Sequence, residues 1–220
     1  MQLSGVTALI VLAAFSTAGA GRAQDNHPRF HVGVALGSVE LNSALSLSSA
    51  GAPPEILDRF GDRSPPSSSQ PWKLVAGFRP ARVVGVELQY VDFGEGEIPR
   101  PTGNSVLRSH VAMEGSADAT MLSALLFVPL RSPSFDVYGK VGVANLDESL
   151  RGYAAIIGAP CPASPCIFSV DVHEADSHPY FAVGFRAEIT RMVAFRAEYE
   201  AIDRDTEDTT MFSVGVAWER

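Results

Sequence analysis

The sequence predicts an all-β fold: an eight-stranded antiparallel up-and-down transmembrane β-barrel. Three observations carry this expectation: strict alternation near the C-terminus, connections that alternate between short and long, and an export-type leader. Side chains of a strand point to opposite faces with period two. Between Tyr180 and Trp218, Phe181, Val183, Phe185, Ala187 and Ile189 share one face, and Tyr180, Ala182, Gly184, Arg186 and Glu188 share the other. The pattern repeats with Val193, Phe195, Ala197 and Tyr199 against Ala194, Arg196, Glu198 and Glu200, and again with Phe212, Val214, Val216 and Trp218 against Met211, Ser213, Gly215 and Ala217. A soluble sheet hides its large apolar face. Here the opposite face holds ions and small residues, as the lumen of a narrow barrel whose apolar side meets lipid.

The remaining strands follow in hairpin order. Arg29 to Val39 sets Phe30, Val32, Val34 and Leu36 against His31, Gly33, Ala35 and Gly37. Trp72 to Arg79 sets Trp72, Leu74, Ala76 and Phe78 against Lys73, Val75, Gly77 and Arg79. Val83 to Phe93 sets Val84, Val86, Leu88 and Tyr90 against Gly85, Glu87 and Gln89. In Ser116 to Val128 both faces are apolar; Leu125 and Phe127 mark the expected outer face, with Leu122 and Leu126 opposing them. Phe135 to Leu146 sets Val137, Val141 and Val143 against Tyr138, Lys140, Gly142 and Ala144.

Short turns at Pro80-Ala81, Pro129 to Pro133 and Thr190-Arg191 alternate with longer connections at Glu40 to Pro71, Gly94 to Gly115, Asp147 to Ser177 and Asp203 to Asp208. Outer-membrane barrels show this asymmetry between their two ends. The long connections hold 16 acids and 6 bases, whereas the short turns and their flanks carry Arg79, Arg82, Arg131 and Arg191. One end is therefore acidic and the other mildly basic.

Val6 to Phe15 is a short apolar run followed by Ala18-Gly19-Ala20 and Gly21-Arg22-Ala23. It reads as a secretory signal peptide over residues 1–23, with the barrel domain over 24–220. No later segment is apolar for long enough to cross a bilayer as a helix, so a helical membrane protein is excluded. Removing Arg22 with the leader moves the net charge from -8 to -9, which argues against a nucleic-acid partner. Cys161 and Cys166, in Cys-Pro-Ala-Ser-Pro-Cys, read as a disulfide closing a small loop in an oxidising compartment.

Four residue sets are candidates for chemistry. Lys73, Arg79, Glu87, Lys140, Arg186, Glu188, Arg196, Glu198 and Glu200 share the inward face. An eight-stranded barrel has room for side chains alone, and buried ions must be paired. A plugging ion-pair network is favoured over a narrow ion pathway, with Glu87, Lys140, Arg186 and Glu198 expected in one network. The stretch from Asp171 through His173, Glu174 and Asp176 to His178 collects oxygen and imidazole donors, but its spacing fits no metal motif, and a solvated acidic loop is favoured. Ser109-His110, with Glu114 nearby, raises a lipid A-modifying esterase as the alternative function. Trp72, Tyr199 and Trp218 are the best candidates for interfacial aromatics.

Trp72-Lys-Leu-Val-Ala-Gly-Phe-Arg, Gly85-Val-Glu-Leu-Gln-Tyr-Val-Asp-Phe-Gly94, Tyr138-Gly-Lys-Val-Gly-Val and Phe195-Arg-Ala-Glu-Tyr-Glu resemble the small OmpA-like outer-membrane β-barrel domain. The resemblance covers essentially the whole chain after the leader. It implies a Gram-negative outer-membrane location and a structural, adhesive or host-interacting role rather than catalysis. No peptidoglycan-binding segment follows the barrel, so a wall tether is not expected. The chain ends Trp218-Glu219-Arg220, with Trp218 in phase with Val216. Expected partners are outer-membrane lipid and lipopolysaccharide, the barrel-assembly machinery during biogenesis, and an extracellular ligand held by the loops. No cofactor or metal is expected. A soluble lipocalin-like carrier needs an apolar lumen and a polar exterior, opposite to the arrangement of Arg186, Glu188 and Arg196 against Phe181, Phe185 and Phe195. Replacing Cys161 and Cys166 by Ser should leave assembly intact, because the ladder of backbone hydrogen bonds closes without them. Retention of the heat-modifiable folded band on a gel checks this.

Overall fold

The computed structural model describes residues 28–40, 50–52, 70–97, 108–128, 134–157, 166–204 and 208–220, with Pro54 and Leu130 between them. The leader, most of the first long connection, Cys161 and Arg131 lie outside the described residues. Eight strands form a closed barrel in chain order: β1 (Arg29–Glu40), β2 (Trp72–Ala81), β3 (Val84–Glu97), β4 (Arg108–Val128), β5 (Phe135–Ile157), β6 (Cys166–Thr190), β7 (Val193–Ile202) and β8 (Thr209–Glu219). Every neighbouring pair is antiparallel. The ring closes between β1 and β8, from His31 opposite Glu219 to Glu40 opposite Thr210. Closure removes the free sheet edges that hydrocarbon cannot satisfy.

The alternation works as expected on most staves. Phe30, Val32, Val34 and Leu36 are exposed on the outer wall, as are Val86, Leu88, Val183, Phe212, Val214 and Val216. Their partners across the strand, such as Ala35, Val75, Glu87 and Ala182, are buried in the lumen. Small inward residues let the staves approach. Gly184 lies opposite Tyr138, whose ring crosses it: a Cβ at Gly184 would stand 2.8–2.9 Å from Tyr138 ring and hydroxyl atoms. The His31 ring crosses Gly77, its partner in β2, in the same way.

Two expectations are corrected. In β4, Leu125 and Phe127 are buried and face the lumen, while Leu122 and Val128 are exposed on the wall. Both faces of this stave are apolar, so periodicity alone could not tell them apart. The second correction is one of length. β4, β5 and β6 are 21, 23 and 25 residues long, and they absorb much of what the sequence reads as the second and third loops. A tilted strand needs only about 9–11 residues to cross a bilayer. Beyond that level lipid no longer demands an apolar outer face, so Asp, Glu, Ser and His are tolerated and the pattern fades. The backbone ladder continues regardless, with β5 paired to β4 as far as Arg108 opposite Ile157, and to β6 as far as Ile156 opposite Cys166.

The lumen is layered from the short-turn end to the long-connection end. Arg79, Asp136, Arg186 and Glu219 fill the turn end, and a dense ionic tier follows. Above that tier Val91, Phe93, Met121, Leu146, Ile202 and Met211 form a buried apolar plug with Tyr180. Gly184→Val should push Tyr138 off its seat and disturb the ionic tier beneath, costing about 1–3 kcal/mol of overpacking. A lowered urea midpoint for loss of the heat-modifiable band checks this.

Candidate functional site

The ionic tier is built by alternation. Lys73 of β2, Glu87 of β3, Lys140 of β5, and Arg196, Glu198 and Glu200 of β7 all occupy inward positions at similar height, and all are buried. Their signs balance, three cations against three carboxylates. Glu87 accepts from Arg196 Nη2 at 2.8 Å, from Gln89 Nε2 at 2.7 Å and from Lys140. Its other neighbour is His31, whose Nε2 lies 2.7 Å from Oε2. Glu198 accepts from Arg196 Nη2 at 2.6 Å, pairs with Lys140 at 2.8 Å, and also accepts from Lys73 and the Tyr138 hydroxyl. Glu200 accepts from Lys73 Nζ at 2.8 Å and from the Tyr180 hydroxyl. Each carboxylate therefore has several charge-assisted donors, which is what makes a buried ion tolerable.

Arg186 does not join this tier, contrary to the expected single network with Glu87, Lys140 and Glu198. It lies opposite Arg196 on the neighbouring stave, and the two like charges part. Arg196 turns into the tier, with Nε donating to the Tyr138 hydroxyl at 3.1 Å. Arg186 turns toward the turn end, where it holds Glu219, Asp136 at 3.2 Å and Glu188 at 3.0 Å. Arg79 completes this second cluster through Asp136 at 3.1 Å and stacks on Phe127, 3.7 Å from the ring centroid. Asp136 and Glu219 were missed because each sits at a strand end where inward and outward are hard to distinguish. His31, Gln89, Tyr138 and Tyr180 were on inward faces in the sequence, but no residue type announces a donor to a distant carboxylate. A void between Arg29, His31, Arg79, Arg186 and Glu219 offers about 20 Å³, room for about one water. Packed charges and apolar plug together fill the lumen.

Higher up, Arg204 makes a two-pronged pair with Glu148, at 3.2 and 3.0 Å, and both are buried. Both fall in segments the sequence assigns to acidic solvated loops, so nothing there marked them as an interior pair. On the outer wall Trp72 donates its Nε1 hydrogen to Asp92 at 3.0 Å and packs against Tyr90. Trp218 and Tyr199 are also exposed on the wall, Trp218 at the turn end beside Val193 and Tyr199 beside Phe212.

The other candidate sets fare differently. Ser109 and His110 occupy consecutive ladder positions in β4, paired with Ile156 and Ala155. Asp171 and His173 are exposed in β6, where Asp171 pairs with Arg151 at 3.1 Å and His173 Nδ1 lies 3.1 Å from Asp147. Among the described residues no group of three or more His, Cys, Asp or Glu is placed to hold a metal ion. Cys166 opens β6, and its proposed disulfide partner Cys161 lies outside the described residues.

The outer membrane protein β-barrel domain family matches this chain over residues 7–219. No curated protein matches it. Similar solved structures include the N-terminal β-barrel domain of Pseudomonas aeruginosa OprF, 10% identical, with 87% of this chain and 97% of that one covered at a TM-score of 0.47. Ail, the attachment invasion locus protein of Yersinia pestis, is 11% identical over 88% of this chain and 97% of its own, with a TM-score of 0.46. Neisserial surface protein A is 12% identical over 87% and 96%, with a TM-score of 0.44.

Replacing Lys140 by Met leaves Glu87 and Glu198 buried beside one cation fewer. Its side chain is 0% exposed, so water cannot compensate. The change should cost roughly 3–5 kcal/mol, read as a drop in the denaturant midpoint of the folded barrel in detergent.

Proposed function

This chain belongs to the outer membrane protein β-barrel domain family, which places it in a Gram-negative outer membrane, and from that premise we propose that it is a non-catalytic binding protein. The recognition surface is the extension of β4, β5 and β6 beyond the barrel wall. One observation carries the reading. β3 makes its last pair at Glu97 with Glu114, and β7 its last at Ile202 with Tyr180, yet the three strands between them run on together. They project as a three-stranded sheet on the long-connection side, which faces the exterior in outer-membrane barrels.

The projection carries acids on both faces: Glu114 and Asp171 are exposed on the outer one, where Arg151 pairs with Asp171, and Glu174 and Asp176, opposite Glu148 and Leu146, are exposed on the inner one. Such a surface fits a cationic extracellular partner. The filled lumen supports a scaffold role for the barrel, with function at its outer end. Outer-membrane lipid and lipopolysaccharide are the proposed surroundings of the apolar wall, and the barrel-assembly machinery the proposed partner in insertion.

Purified barrel in detergent should retain a lysine-rich peptide at low salt. The variant Glu114→Gln, Asp171→Asn, Glu174→Gln, Asp176→Asn should lose that retention by about tenfold or more, since these charges carry the attraction. Equal retention by both proteins would remove the proposed surface. Lipid A mass spectra of cells with and without the chain should be identical; loss of an acyl chain would replace the binding role with the esterase.

A further inference from the structure

The turn end of the barrel carries a second charged surface that the ionic tier does not use. Arg29 opens β1, Arg82 lies in the β2–β3 turn and Arg191 in the β6–β7 turn, and all three are exposed. The staves between these turns are consecutive in the ring. Backbone bonds tie them together: Glu219 N donates to the Met192 carbonyl at 2.8 Å, and Phe30 N donates to the Arg220 carbonyl at 2.9 Å. Arg29 lies opposite Arg79, whose Nε donates to the Arg82 carbonyl at 3.0 Å. The three arginines are thus spread over half of the rim, Arg191 and Arg82 at its two ends and Arg29 between them at the mouth of the lumen, so that each meets a headgroup of its own; Arg220 is exposed on the same arc.

Among the described residues the acids of this end lie mainly on Arg186. Asp136 and Glu219 are turned onto Arg186 inside the lumen. Glu188 is shared, pairing with Arg186 at 3.0 Å and with Arg29 at 3.7 Å. The rim also interleaves charge with exposed apolar side chains. Phe30 follows Arg29, while Ile189 and Met192 flank Arg191; each of the three is at least half exposed. A soluble polyanion satisfies the arginines but leaves these side chains in water. A bilayer surface satisfies both, acyl chains covering Phe30, Ile189 and Met192 while phosphates meet the guanidinium forks.

We propose that this arc is a docking surface for anionic phospholipid headgroups, taken by Arg29, Arg82 and Arg191 in the periplasmic leaflet. The leaflet rests on the orientation adopted under Proposed function; the lipid chemistry does not. A planar guanidinium takes the phosphate of either headgroup with two parallel hydrogen bonds, but the ammonium of phosphatidylethanolamine cancels its charge and competes for its phosphate, so the selectivity should favour anionic phosphatidylglycerol. The contacts lie at a water-exposed rim, so they should weaken with salt.

The full chain is folded into vesicles of phosphatidylethanolamine with about one-fifth phosphatidylglycerol, the mixture being chosen to offer both headgroups to the rim. The relative association of spin-labelled phosphatidylglycerol and phosphatidylethanolamine with the barrel is then read by electron paramagnetic resonance. The unaltered chain should prefer phosphatidylglycerol several-fold, and R29Q/R82Q/R191Q should bring the ratio close to one. R82Q/R191Q changes turn residues only, keeps the test in a folded barrel, and should show a partial loss. R151Q, on the exterior projection, should keep the full preference. No preference in the unaltered chain, or one that survives the triple substitution, would overturn the proposal. Arginine-dependent sedimentation with purified peptidoglycan, without lipid selectivity, would overturn it in favour of the cell wall. Protease access to the projection in intact cells tests orientation separately: with the projection protected, lipid selectivity could stand while the assigned leaflet fails.

Discussion

The structure depends on two buried carboxylates, Glu87 and Glu198. Glu87 is held by cations of β5 and β7, and Glu198 by Lys73 of β2, Lys140 of β5 and Arg196 of its own strand, so the tier works as a set of cross-ties rather than as isolated pairs. Lys140 spans both, Arg196 spans both, and Lys73 links Glu198 to Glu200. The tyrosines of β5 and β6 close the remaining acceptor sites. Burying an ion is costly, and the cost is met only when every partner is in place. The outer wall makes no comparable demand. Apolar side chains in lipid need only be apolar, so Val32 or Leu88 contributes to solvation by the bilayer without specifying register. Register comes from the interior, where a shift by one residue would send each buried charge into hydrocarbon.

That division explains what could be read in advance. The period-two pattern named the inward residues Lys73, Glu87, Lys140, Arg196, Glu198 and Glu200, because chemistry and phase agree on those staves. Alternation does not tell which inward residues lie at the same height, since that depends on the stagger of neighbouring strands. Arg186 was therefore expected beside Glu87 and belongs instead with Asp136 and Glu219. In β4 the pattern reversed the faces at Leu125 and Phe127, because this strand's inward face packs with Tyr138 in a local apolar cluster and presents the same residue types as the wall. The extra length of β5 and β6 left no signal. Outside the bilayer Glu148 and Asp171 are as acceptable in a strand as in a loop.

The two ends of the lumen also differ in kind. The turn end closes with ions around Arg186, and the opposite half closes with Phe93, Met121, Leu146 and Met211. The buried Glu148–Arg204 pair lies beyond that apolar layer and ties β5 to the segment leading into β8. The projecting sheet is thus anchored on a packed interior, while its exposed acids make no contribution to that packing. Substitution there changes the surface presented without loosening the barrel beneath.

The filled lumen has an electrical consequence. The charges of the tier are fixed in pairs, and the plug of Phe93, Met121, Leu146 and Met211 carries none. Fixed pairs cannot redistribute as dissolved ions do, so a potential difference across the membrane falls over the whole packed length of the interior, as it does over the surrounding lipid. The lumen behaves as a dielectric rod rather than as a vessel open to either side.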